Sequence, residues 1–324
     1  MSERIAAQYR RFAEVEACGR SPLYEAIALG VAQDAFALGF LASLPEHKRQ
    51  PNLLLAALRH VAGTVDDWPA FRALLTEHSA VVRTTMLARR TQTNEPGRCA
   101  VLLPVLVRLR QPLALIEVGA SAGLCLLPDR YGYDYGGHRL PPPSPHAPVF
   151  HCRTGPRTPL SIAQPRVVWR LGLDLEPVDL ANPRDVAWLE TLVWPEQTDR
   201  LHRLRAAIDV ARRDPPRVLR ADLLTDLAAC AHVAPLGATL VVFHSAVLAY
   251  VTDPQQRAAF ADTVRGMGAV WISNETPGVF PHIAERLERR GPRGAFLLSL
   301  DGRPVAWTDP HGAWVEWIAD GEGP

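Results

Sequence analysis

Apolar positions in the first third of the chain recur every three or four residues, the spacing of one helix face. Ile5, Tyr9 and Phe12 follow it, with arginines and glutamates between them. Ser21-Pro22 marks a helix start. A serine hydroxyl can accept from a free N–H of the first turn, and proline suits a position where no donor is needed. Residues 23–44 are apolar nearly all round, which predicts one well-buried helix. Further helices are predicted over 53–61, 70–78, 81–90 and 99–110, and no strand with period-two alternation before residue 112.

The pattern changes at Leu113. Leu113-Ala114-Leu115-Ile116-Glu117-Val118 is a short apolar run ending in a glycine turn, the form of a buried parallel strand. A short helix is expected from Ala122. Residues 131–165 carry Tyr131, Tyr133, Tyr135, paired glycines and Pro141-Pro142-Pro143-Ser144-Pro145. They are too proline-rich for a helix and read as an inserted loop with room for a hairpin. Strand-like runs follow at 166–171, 217–220, 238–244 and 269–273, and helical runs at 185–213, 223–233, 254–267 and 281–290. Two closing strands, 295–300 and 304–308, are joined by the hairpin signal Asp301-Gly302, and a strand-like piece covers 313–318. Strands alternating with helices predict an α/β fold with a doubly wound parallel sheet and a terminal antiparallel hairpin. The expected division is a helical N-terminal region, 1–111, acting as a cap or lid, and an α/β domain, 112–324, with the insertion at 131–165.

Of the 324 residues, 48% are hydrophobic and 21% charged, the balance of a chain with a real core. Formal net charge is +1 with the basic residues spread along the chain, so no nucleic-acid partner is implied. The five cysteines, Cys18, Cys99, Cys125, Cys152 and Cys230, form no C-x-x-C pair. Together with an N-terminus that lacks a signal peptide's apolar region, they point to a reducing, cytoplasmic location. No apolar run reaches the ~20 residues that span a bilayer, so no membrane is expected. His151-Cys152 has no matching second pair, and no metal site is expected.

The turn Glu117-Val118-Gly119-Ala120-Ser121-Ala122-Gly123 is where chemistry is expected. The first strand of an open α/β sheet delivers ligands to the crevice at its carboxyl end, where glycines let the backbone approach and a following helix offers free N–H groups. The spacing Glu117-x-Gly119-x-x-x-Gly123 resembles motif I of class I S-adenosylmethionine-dependent methyltransferases, and the strand count with its closing hairpin is similar to that Rossmann-like fold. The same residues fit G-x-S-x-G, the nucleophile elbow of serine hydrolases. That rival would make Ser121 the nucleophile, but here helices rather than earlier sheet strands precede it.

Further candidates lie at later strand ends. Asp174, closing Val167-Val168-Trp169-Arg170-Leu171-Gly172-Leu173, is placed to read ribose hydroxyls or to cap a loop. Asp222 can accept from an adenine amino group or cap the following helix. His244, at the end of the fourth strand, is a candidate general base, and equally a histidine hydrogen-bonded at a strand end. Glu275, after the fifth, carries the same ambiguity.

Taken together, several runs resemble the bacterial domain of unknown function 2332 family. They are Ser21-Pro22-Leu23-Tyr24, Val118 to Leu124, Asp129-Arg130-Tyr131, Arg170 to Asp174 with Pro177 and Asp179, Trp194-Pro195-Glu196 and Phe243-His244-Ser245. The resemblance implies a helical region fused to a methyltransferase-like domain and names no substrate. The expectation is an enzyme moving a methyl group from S-adenosylmethionine to a small molecule. Glu117, Gly119, Ala120, Ser121 and Gly123 would hold the cofactor's methionine end, Asp174 its ribose and Asp222 its adenine. The alternatives are the serine hydrolase and a non-catalytic binding protein that has kept the fold.

Overall fold

The computed structural model describes residues 1–318. The chain forms two compact units: Met1–Thr93 with Pro183–Leu201, and Asn94–Asn182 with the chain from His202 onward. The first division therefore falls at residue 93 rather than 111, and a later segment belongs with the helices.

The helical unit contains α1 (Ser2–Phe12), α2 (Pro22–Val31), α3 (Ala35–Ala42), α4 (Pro51–Ala62), α5 (Trp68–Glu77), α6 (Ser79–Ala88) and α8 (Pro183–Thr191). Ser21 caps α2, its Oγ accepting from the Tyr24 N–H at 3.1 Å. The single helix expected over 23–44 is two helices that meet at 82°. Asp34 makes the break: its Oδ1 accepts from the Ala37 N–H at 2.7 Å, starting α3, while its Oδ2 holds Arg72 Nε at 2.9 Å. Nor is α3 well buried; Ala37 and Leu41 are its buried residues. Tyr9, Ile27, Leu41, Leu53 and Phe71 pack into one core with Trp188 and Leu192 from the later segment. The helix expected over 185–213 is likewise broken, into α8 and α9 (Thr198–Arg213), at the run containing Pro195.

In the second unit α7 (Cys99–Leu106), buried at every residue, precedes β1 (Leu113–Val118). The remaining strands are β2 (Gly132–Asp134), β3 (Arg139–Leu140), β4 (Val149–His151), β5 (Arg153–Thr154), β6 (Val167–Asp174), β7 (Val218–Arg220), β8 (Thr239–Ser245), β9 (Val270–Glu275), β10 (Phe296–Leu300), β11 (Arg303–Thr308) and β12 (Trp314–Trp317). Nine of them form one sheet in the order β5-β12-β11-β10-β9-β8-β1-β6-β7. The run β7-β6-β1-β8-β9 is parallel throughout. The strands β10, β11 and β12 then meander antiparallel, with the hairpin at Asp301-Gly302 as expected. The fold is thus mixed α/β around a large, mostly parallel sheet.

The insertion is more ordered than a loop. Its β2, β3 and β4 make a small sheet, and β5 extends the edge of the large sheet beside β12. Tyr131, Tyr133 and Phe150 are buried together beneath it. Several helices between strands are short: α10 (Leu227–Ala231), with α12 (Pro281–Ala284) against α11 (Pro254–Gly266). Among the described residues no single helix is long and apolar enough to cross a membrane.

Candidate functional site

From β1 the chain builds outward to β6 and β7 on one side, then crosses to β8 and β9 on the other. The gap between β1 and β8 is the topological switch point, and in open parallel sheets ligands bind outside the carboxyl ends of the strands there. At that edge stand Glu117 and the 119–123 turn, Asp174, His244 with Ser245, and Glu275.

Register divides these residues between two faces. Glu117 pairs with Gly172 on β6 and with Phe243 on β8, while Ser245 pairs with Asn274. Because side chains alternate along a strand, Glu117, Gly172, Asp174, Ser245 and Asn274 share one face, and His244, Trp271 and Glu275 occupy the other. The sequence-predicted set is therefore split: the structure brings Asp174 near Glu117, and His244 to Glu275, but not the one pair to the other.

The turn after β1 is held by its own chain. Gly119, Ser121 and Gly123 have φ of +70°, +52° and +74°. The N–H groups of Gly119 and Ala120 both donate to Leu173 O, at 2.8 and 3.1 Å, and that of Gly123 donates to Ala120 O at 2.7 Å. The Ser121 N–H donates to Asp174 Oδ2 at 2.8 Å, and Leu124 N–H to Asn94 Oδ1 at 2.9 Å. A Cβ on Gly119 would clash with Val247, and one on Gly123 with Pro216 and Val218. Chain packing thus accounts for both glycines. The expected α-helix from Ala122 is absent; two 3-10 turns, Leu124–Leu126 and Pro128–Arg130, take its place. Gly123 in the left-handed region and Pro128 keep the segment from becoming an α-helix, so no row of helix N–H groups faces the turn.

Asp174 plays the loop-holding part of its expected pair of roles: its Oδ1 accepts from Glu176 N–H at 2.8 Å while Oδ2 holds Ser121. Asp222 likewise accepts from Leu224 N–H at 2.8 Å in a tight turn before α10.

Glu117 differs from both. It is 5% exposed, and its Oε2 has no hydrogen-bond partner. Burial pushes its carboxyl well above the ordinary range; Cys125 and Asp174 add to the shift and Arg98 opposes it. Arg98 is itself 8% exposed. Its Nε donates to Pro310 O at 2.8 Å and its Nη1 to Ser245 O at 2.9 Å, which places the guanidinium at the end of β8 beside the switch point. Ser121 Oγ, 4% exposed at the residue level, is also without a partner. A nucleophilic serine needs a base within hydrogen-bond reach, and no histidine contacts this hydroxyl.

On the opposite face His244 is fully paired, while Glu275 Oε2, like Glu117 Oε2, is buried without a hydrogen-bond partner. His244 is fully buried against Phe260, Trp271 and Phe280. Trp271 Nε1–H donates to His244 Nε2 at 3.0 Å, and an indole nitrogen can only donate, so Nε2 carries no proton. Nδ1 then donates to Glu275 Oε1 at 2.8 Å. With both ring nitrogens engaged, His244 makes the hydrogen bonds of the second of its two expected roles, a histidine bonded at a strand end. Glu275 Oε1 also accepts from the N–H groups of Val247, at 2.9 Å, and Leu248, at 3.0 Å. Glu275 Oε1 therefore holds the loop after β8, the loop that seats Val247 on Gly119, and Oε2 takes no part in holding it.

Arg98 escaped the sequence reading. Its one signal is Pro96-Gly97-Arg98 set immediately before an all-apolar helix. Among the described residues no group of three or more His, Cys, Asp or Glu is assembled that could hold a metal ion.

Comparison with curated proteins and with solved structures gave no match. A family profile described as an uncharacterized protein conserved in bacteria (DUF2332) matches residues 6–317. With that match running from α1 through β12, the chain belongs to the DUF2332 family.

Proposed function

We propose that the chain is an S-adenosylmethionine-dependent methyltransferase acting on a small molecule. The observation that carries this reading is Glu117: a buried carboxyl at the switch point with one oxygen unpartnered. Buried polar groups are nearly always satisfied, so an unpartnered acceptor at the carboxyl edge of a central strand is placed where a ligand donor can meet it. The five parallel strands followed by an antiparallel meander, and the acid-x-Gly turn after the first of them, support a Rossmann-like methyltransferase fold. In this reading Glu117 faces the methionine end, Asp174 the ribose and Asp222 the adenine. The cofactor would supply an electrophilic methyl group. The chain's residues bind it, orient it and exclude water, and an in-line transfer can draw most of its rate from such positioning. In this reading His244 and Glu275 Oε1 fix the loop 246–248.

A second reading is favoured by the turn itself, whose N–H groups are largely satisfied from within: a non-catalytic protein that keeps the fold. Calorimetric titration with S-adenosylhomocysteine separates the two. Micromolar binding, weakened about tenfold or more in Glu117→Gln, supports the methyltransferase. No binding to the folded wild-type protein leaves the non-catalytic reading.

A further inference from the structure

Two of the buried thiols meet beside the turn that follows β1. Cys99 is the first residue of α7, and Cys125 lies in the 3-10 turn Leu124–Leu126. Each reaches across to the other's segment. Cys99 Sγ donates to Cys125 O at 3.5 Å, and Cys125 Sγ donates to Glu95 O, shortly before Cys99, at 3.3 Å. The two sulfurs are also in hydrogen-bond contact, and this contact with burial pushes the Cys125 thiol well up. Both residues are more than nine-tenths buried, and both thiols are free. Cys18 by contrast is exposed, and Cys152 Sγ donates to the carbonyl of the next residue, Arg153, at 3.7 Å.

We propose that Cys99 and Cys125 are a reversible redox pair, closed to a disulfide by a peroxide and reopened by a dithiol, that resets the turn after β1. The pair needs no particular cofactor at that turn. A buried site admits only a small oxidant, and hydrogen peroxide is one. The Cys99 sulfur, as its thiolate, attacks one peroxide oxygen. An S–O bond forms, the O–O bond breaks, and the departing hydroxide takes up a proton as water. Cys125 then gives up its proton and attacks the sulfenic sulfur. The S–S bond forms, the S–O bond breaks, and a second water leaves. Two thiols are thus oxidised and one peroxide is reduced to two waters. A dithiol reverses the closure, returning both thiols as it becomes a disulfide itself. Because Cys125 holds its proton tightly, the first attack falls to Cys99 and closure is slow, an answer to sustained oxidation. Closure removes the Cys125 S–H, and with it the bond to Glu95 O and the thiol that stands against Glu117. It also ties the start of α7 to a turn already held at Leu124. There the N–H donates to Asn94 Oδ1 at 2.9 Å, and the carbonyl accepts from the Tyr131 hydroxyl at 2.8 Å. The new link therefore acts on the backbone that carries Ser121 and Gly123.

The test exposes the reduced full chain to hydrogen peroxide, blocks the remaining thiols with iodoacetamide in denaturant, and maps tryptic peptides without reduction. The expected result is a link between peptides 99–108 and 111–130, undone by dithiothreitol and absent in Cys125→Ala. The wild-type map decides the matter even where Cys125→Ala does not fold. Hydrogen exchange of the oxidised and reduced forms should differ several-fold at the amides of 121–126 and stay the same in α1 to α6. Sulfinic or sulfonic acid on either residue without a link overturns the pair. So does recovery of both thiols intact while Cys18 is oxidised, or a link through Cys152 or Cys230 instead. A link between Cys99 and Cys125 with unchanged exchange at 121–126 overturns the switch.

Discussion

The two faces of the central sheet meet the same strand ends and engage their polar groups to different extents. On the His244 face, an indole donor, an imidazole, one carboxylate oxygen and two backbone N–H groups satisfy one another, and only the second oxygen of Glu275 among these groups is left over. On the Glu117 face, a carboxyl oxygen and a serine hydroxyl are buried without partners beside a guanidinium. A closed buried network rigidifies the structure around it, whereas an unsatisfied one carries a free-energy cost that a ligand can remove. The difference teaches that residues which look catalytic at a strand tip are better judged by what remains unbonded than by residue type.

The comparison breaks most visibly at Glu275. Glu275→Ala would strand two N–H groups and the His244 Nδ1–H, and should destabilise the chain by about 3–5 kcal/mol, read as a large fall in Tm by calorimetry. A change under about 1 kcal/mol would mean that the His244 face is not the structural one. Gly119→Ala should cost about 2–4 kcal/mol, from a left-handed φ and a clash with Val247. The double variant Gly119→Ala with Val247→Ala should recover the clash portion in a double-mutant cycle; strict additivity would deny the packing account. Trp271→Phe removes the donor to His244 Nε2 and should cost about 1–3 kcal/mol by chemical denaturation.

The opposite face answers differently. Burial raises the affinity of the Glu117 carboxyl for its proton in the folded chain above that of an ordinary glutamate, so the stability it contributes is fully present below the ordinary carboxyl range. It is lost as pH rises through the folded value. Glu117→Gln does not titrate there, so its Tm relative to wild type should climb as pH rises above the ordinary carboxyl range; a constant difference would contradict the buried acid. The smallest effect is expected from Ser121→Ala, within about 1 kcal/mol, because the lost hydroxyl bonds to nothing. Labelling of Ser121 by a fluorophosphonate would instead revive the hydrolase.

Much of this fold was legible from periodicity. The apolar run at 113–118, the helix start at Ser21-Pro22, the later strands and the Asp301-Gly302 hairpin stand where pattern put them. The breaks were harder. Asp34 interrupts an apolar run that reads as one continuous helix, and a 3-10 path follows Gly123 where a helix was expected. The site was half legible for a physical reason. Alternation shows that Val242 and His244 share a side, but which side faces Glu117 depends on register between strands far apart in sequence, and a one-residue slip would exchange the faces. Arg98 was invisible because its partners are carbonyl oxygens of Ser245 and Pro310, and every residue offers a carbonyl.

The most direct measurement is a crystal structure of the protein grown with S-adenosylhomocysteine. The account predicts density at the carboxyl end of β1 on the Glu117 and Arg98 side, with the His244–Glu275 hydrogen bond unchanged. Density against His244 and Glu275, with their mutual bond broken to receive the ligand, would contradict it.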